Sequence, residues 1–104
     1  MEVIKMKVKT PMQGQLCESL QGRDKGNLYA VLRVLGEDLV LVADGDTKKL
    51  SCPKKKNIKH LSLLNKSIGD YGVDFSDGKA DDCRLAYALK QYRAERKIKV
   101  GGNS

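Results

Sequence analysis

The sequence predicts a mainly β protein: a small, partly closed barrel of five short strands followed by one C-terminal α-helix. Three observations carry that prediction. Apolar or alternating runs over 14–20, 28–35 and 39–43 are separated by Gly- and Asp-rich turns, and each run is too short for a helix. Only 78–98 combines a helical apolar stripe with acidic residues early and basic residues late. At 104 residues the chain suits one domain with a modest core.

The elements follow in order. Over 1–12, Val3, Ile4, Met6 and Val8 are interleaved with lysines. That is either a short edge strand guarded by charge or a basic arm, and Pro11 ends it. The stretch lacks the uninterrupted apolar segment of a signal peptide. The first strand, 14–20, leads into Gly22-Arg23-Asp24-Lys25-Gly26. Its two glycines are free to take positive φ, and between them stand a guanidinium, a carboxylate and an ammonium. In the next strand Leu28, Ala30, Leu32 and Val34 alternate with Tyr29, Val31, Arg33 and Leu35, so one face is wholly apolar. Gly36-Glu37-Asp38 turns the chain, and Leu39-Val40-Leu41-Val42-Ala43 reads as a central strand.

Asp44-Gly45-Asp46 signals a hairpin turn with positive φ, with 47–51 as its return strand. It lacks the ligand spacing of an EF-hand, and 22–26 lacks the Gly-Lys-Ser/Thr ending of a P-loop. Beyond Pro53, 54–64 begins as a basic turn and becomes a closing strand. Residues 65–77, with Gly69 and Gly72, read as a linker anchored by Val73 and Phe75. Ser76 or Asp77 caps the final helix, whose stripe is Leu85, Ala86, Leu89 and Tyr92. The helix either docks by that stripe or orders only on a target. Residues 99–104 are expected to be a disordered tail.

Composition narrows the function classes. Lys+Arg 20 against Asp+Glu 13 gives a net charge of +7, which favours a polyanionic partner. No apolar run approaches the roughly 20 residues of a membrane span, and the helix lacks the bulky apolar face that interfacial insertion needs. Cys17, Cys52 and Cys83 form no C-x-x-C pair, and His60 is the only histidine. No metal or cofactor is therefore expected, and the cysteines read as reduced, partly buried small hydrophobes of a cytoplasmic protein.

The densest chemistry lies between 48 and 60: Lys48, Lys49, Lys54, Lys55, Lys56 and Lys59, with no acidic residue among them. Lysines engage phosphate oxygens as point charges, and counterion release supplies affinity that falls with salt. Asn57 and His60 add hydrogen-bonding or stacking capacity, and Arg23 and Lys25 add charge in the glycine-bounded loop. Gly14, Lys25 and Gly26 stand at the positions of the KOW motif, an RNA-binding strand-loop-strand. Taken with Ala43-Asp44-Gly45 and Pro53-Lys54-Lys55-Lys56-Asn57-Ile58-Lys59-His60-Leu61, the chain over about 12–64 resembles the small bacterial KOW-domain proteins. Those are themselves similar to KOW-containing large-subunit ribosomal proteins of archaea and eukaryotes. The resemblance implies an SH3-like barrel over 13–64 and association with ribosomal RNA. It places RNA contacts at Arg23, Lys25 and Gly26 and extends them to 54–60.

The resulting expectation is a non-enzymatic, monomeric binder of structured RNA, either ribosome-associated or a translation or assembly factor. An enzyme would need a nucleophile–base pair, paired carboxylates or a metal, and the residues supply none. An SH3- or tudor-like peptide module is the alternative. It would need an aromatic groove or cage from one Phe, four Tyr and no Trp.

Overall fold

Alternation along the second apolar run builds the centre of the fold. A computed structural model of the chain describes residues 10–75 and 81–103, with side chains described as far as Arg96. Strands β1 (Gln15–Ser19), β2 (Leu28–Val34), β3 (Leu39–Ala43), β4 (Lys54–Asn57) and β5 (Leu61–Ser67) form one antiparallel sheet in the order β4-β3-β2-β1-β5. The helix α1 spans Asp82–Asn103. The protein is a small SH3-like five-stranded barrel with a C-terminal helix.

Both faces of the sheet are buried over Leu28–Val31 of β2 and at Val42 and Ala43 of β3, which explains why these stretches are apolar without alternation. One face curls on itself around Cys17, Tyr29, Val31, Val40, Val42 and Leu61. The other presents Leu16, Leu28, Ala30 and Ala43 to Leu85, Ala88 and Leu89 of α1, with Tyr92 packed alongside. The helix is therefore docked. Its buried stripe is Leu85, Ala88, Leu89 and Tyr92 rather than the expected set with Ala86, because i, i+3, i+4, i+7 spacing tracks one face more closely. Leu32 joins the helix-side core in step with Leu28 and Ala30, and a register shift between Val31 and Arg33 turns Arg33 out of the Val31 face and sets it opposite Leu41.

Several expected boundaries move. No return strand forms over 47–51. The Asp44 carboxylate accepts from the Asp46 N–H (2.9 Å), the Lys48 N–H (2.7 Å) and the Thr47 hydroxyl (2.7 Å), folding the segment into its own compact turn. The partner of β3 is instead β4, over the lysines expected to be a turn. A 3-10 turn, Ile58–His60, then leads into β5. The expected linker is ordered over its described residues, 65–75. Its first residues complete β5, and a 3-10 turn over Ile68–Tyr71 follows, with Asp70 accepting from Ser67 N–H at 2.8 Å and Gly72 at φ 80°. Ile68 and Val73 are buried, and Phe75 packs on the helix-side core.

Helix α1 is capped by Asp81, whose carboxylate accepts from Arg84 N–H at 2.8 Å. The expected caps Ser76 and Asp77, and the expected start of the helix over 78–80, lie outside the described residues. So does most of the expected N-terminal strand or arm. At the far end, α1 continues helically to Asn103, through the stretch expected as a tail. Of the cysteines, only Cys17 is buried. Cys52 precedes Pro53 on a loop and Cys83 lies on the outer side of α1, so both are exposed.

Candidate nucleic-acid interface

The 20–27 connection is shaped by its backbone. Gly26 N–H donates to Ser19 O at 2.8 Å, Asn27 N–H to Asp24 O at 2.8 Å, and Ser19 N–H to Asn27 O at 2.9 Å. Gly22 and Gly26 close these turns at φ 89° and 91°, a region that costs other residues a Cβ clash. A Cβ at Gly26 would meet nothing within 4 Å. Glycine is there for its φ, and the space outside it is open.

The loop folds so that Asp24 points inward while Arg23 and Lys25 are exposed. Asp24 accepts from the Tyr29 hydroxyl at 2.7 Å and the Ser19 hydroxyl at 2.9 Å. Lys56 Nζ lies 3.0 Å from both carboxylate oxygens, and Lys54 Nζ lies 3.3 Å from one of them. Burial alone would push the Asp24 carboxyl up. The hydrogen bonds from Tyr29, Lys56, Ser19 and Lys54 outweigh it and hold the group well below the usual carboxylate range. Burial, reinforced by Asp24, pushes the Tyr29 hydroxyl up to about 12. Burial likewise raises the Cys17 thiol, to about 12, so it is no nucleophile near neutral pH.

Strand register divides the lysine run. Lys54 pairs with Val42 and Lys56 with Val40, so both share the sheet face of the barrel core. They reach Asp24 across its mouth, and the Lys56 side chain is only 10% exposed. Lys55 pairs with Leu41 and lies exposed on the opposite face, in a row with Arg33. Asn57 spends its side-chain carbonyl on Lys59 N–H at 2.8 Å, which shapes the 3-10 turn. Lys59 and His60 are exposed on that turn, and His60 O accepts from Leu20 N–H at 2.9 Å, tying the turn to the loop.

The structure therefore brings the loop with Arg23, Lys25 and Gly26 together with Lys54, Lys56 and the 58–60 turn around one end of the barrel, and leaves Lys55 on the outer face. Among the described residues, no ion pair involves Arg23, Lys25, Lys55 or Lys59. Lys56 and, in part, Lys54 are internal counterions. Lys48 and Lys49 do not join this cluster; Lys49 instead lines a groove beside α1 with Lys90 and Arg93. Sequence reasoning passed over Arg33 and the fixed role of Asp24. Arg33 was visible as the lone charge of its strand, but its row with Lys55 depends on the register shift.

Among the described residues, no three His, Cys, Asp or Glu side chains gather as metal ligands, and no helix is long and apolar enough to cross a membrane. No family model matches the chain, and no curated protein matches it.

Proposed function

We propose that this chain is a non-enzymatic, KOW-type RNA-binding protein of the cytoplasm. On this reading it takes structured RNA, with ribosomal RNA the first candidate, and acts as a ribosome-associated, translation or assembly factor. The observation that carries the reading is the Asp24 clamp. By drawing Lys54 and Lys56 inward it fixes the loop and leaves Arg23, Lys25 and Lys59 as solvated cations at one end of the barrel, with Lys55 exposed on the outer face of β4. Pre-set point charges of this kind engage a phosphate backbone without sequence selection, and His60 adds an exposed ring. The peptide-module alternative has less support. Tyr29 is buried, Tyr71 donates to Glu95, Tyr92 is half-buried, and only Tyr87 is strongly exposed, at 54%, so no aromatic cage is built from these rings.

The test is affinity for ribosomal RNA as a function of salt. Changing Arg23, Lys25, Lys55 and Lys59 together to Gln should flatten the log-affinity against log-salt plot by about 0.7–0.9 for each phosphate no longer neutralised. An unaltered slope in a variant that melts like the parent would refute the proposal.

A further inference from the structure

The C-terminal helix carries cations that the loop-centred site leaves unused. From 83 to 94 α1 contains no carboxylate, and Arg84, Lys90 and Arg93 are all exposed there. At 3.6 residues per turn they fall on different flanks of the buried stripe. Lys90 and Arg93 lie on the flank toward the 44–50 turn, where they line a groove with Lys49, Leu28 and Leu89. Arg84 lies on the other flank and is absent from that lining.

Two contacts show where the basic end of the groove opens. Leu28 is the first residue of β2 after the 20–27 loop. Arg96 donates to Glu18 at 2.8 Å, and Glu18 immediately precedes Ser19, where the loop begins. The late turns of α1 therefore run to the end of the barrel that bears Arg23 and Lys25. The carboxylates of the groove, Asp44, Asp46 and Asp82, gather where the 44–50 turn meets the start of α1, and Asp44 is already spent on the Asp46 and Lys48 N–H groups and the Thr47 hydroxyl. Asp82 opens α1 and accepts from Leu50 N–H at 2.7 Å. It stands roughly 12–17 Å along the helix axis from Lys90 and Arg93 at 1.5 Å per residue.

We propose that α1 forms a second wall of the RNA surface: Lys90 and Arg93, with Lys49 across the groove, take phosphates of the RNA that Arg23 and Lys25 engage. The loop then sits in the middle of the footprint, not at its edge. This inference rests on the RNA-binding reading above.

Salt-dependent binding of ribosomal RNA and of a synthetic RNA hairpin, measured on the full chain and its variants, tests it. Lys90→Gln with Arg93→Gln should reduce the salt slope by about 1.4–1.8, the equivalent of two neutralised phosphates. Arg84→Gln, an exposed cation of the same helix outside the groove, should change the slope by only a fraction of that for one phosphate. The charge-preserving pair Lys90→Arg with Arg93→Lys should keep the parent slope, which separates the removal of charge from any disturbance of the helix. If the Gln pair matches Arg84→Gln while Arg23→Gln with Lys25→Gln flattens the slope, the α1 wall is wrong and the loop site stands. If the parent chain shows no salt-dependent RNA affinity, both fail.

Discussion

Asp24 is one of five residues in a charged loop, yet its carboxylate decides what its neighbours do. It accepts from Ser19, Tyr29, Lys54 and Lys56, with 12% of its side chain exposed. Removing one partner of a buried ion pair leaves the other uncompensated, at a cost of about 3–5 kcal/mol. Against a total of about 5–15 kcal/mol that is a large share. Asp24→Ala should therefore lower Tm by on the order of 10–20 °C. The two lysine classes should separate in the same assays. Lys54→Gln with Lys56→Gln should lower Tm and leave the salt slope of RNA binding nearly unchanged. Lys55→Gln with Lys59→Gln should do the reverse. Should both pairs alter the slope equally, the division of the run by strand register would be wrong.

The pH dependence of the clamp has a definite sign. The folded Asp24 carboxyl is held below its unfolded value of about 3.9, so its contribution is fully present above that pH. It is lost as pH falls through the lower folded value. Acid titration of stability should show a limb below about pH 4 that Asp24→Asn makes shallower. A remainder should persist, because the Asp44 carboxyl is also lowered: its bonds from Lys48, Thr47 and Asp46 outweigh the burial that would raise it. An identical acid limb in parent and variant would count against the clamp.

At the scale of elements, α1 and the 44–50 turn depend on each other. Gly45 has φ 79°, and a Cβ there would overlap the Asp82 carbonyl oxygen and stand 3.0 Å from Ala86 N. The turn glycine read from sequence as a hairpin residue is also where the turn and the helix backbone meet without room for a side chain. Gly45→Ala should cost at least the roughly 1–3 kcal/mol of a strained backbone, plus whatever moves the helix away. Leu85 is fully buried, so Leu85→Ala should cost about 2–5 kcal/mol, whereas Tyr87→Ala, on the exposed side, should stay within about 0.5 kcal/mol. Denaturant melts of the three variants check the order; equal midpoints for Leu85→Ala and Tyr87→Ala would undo the docking geometry. The strand over 39–43 was legible to the residue because five consecutive apolar positions between polar turns are too few for a helix and suit a central strand. The missing strand over 47–51 was not, because three bonds to the Asp44 side chain outcompete a hairpin that local sequence favours equally well.

At the scale of the whole molecule, one sheet is shared by two cores, the barrel interior and the helix-side layer. Neither core survives without the sheet, so unfolding should be a single transition. Far-UV circular dichroism, weighted to α1, and the near-UV signal of buried Tyr29 should give coincident midpoints. A helix that melts first would mean that the two layers are separable.

Local rules determined a good deal of this protein. The extended segments of β1 to β3, the positive φ at Gly22, Gly26 and Gly45, the existence of the C-terminal helix and the sign of the net charge all follow from periodicity, backbone sterics and composition. The docking choice for α1 and the allocation of the lysines did not. Lys54, Lys55 and Lys56 are chemically identical neighbours, and a period of two assigns them to faces only once β4 is registered on β3. The acceptor that captures Lys54 lies 30 residues away in sequence, and Leu50 finds its acceptor on Asp82 32 residues on. Contacts at that separation depend on the closed sheet, which no local window contains. Only the tertiary structure could therefore decide which cations hold the fold together and which face the solvent.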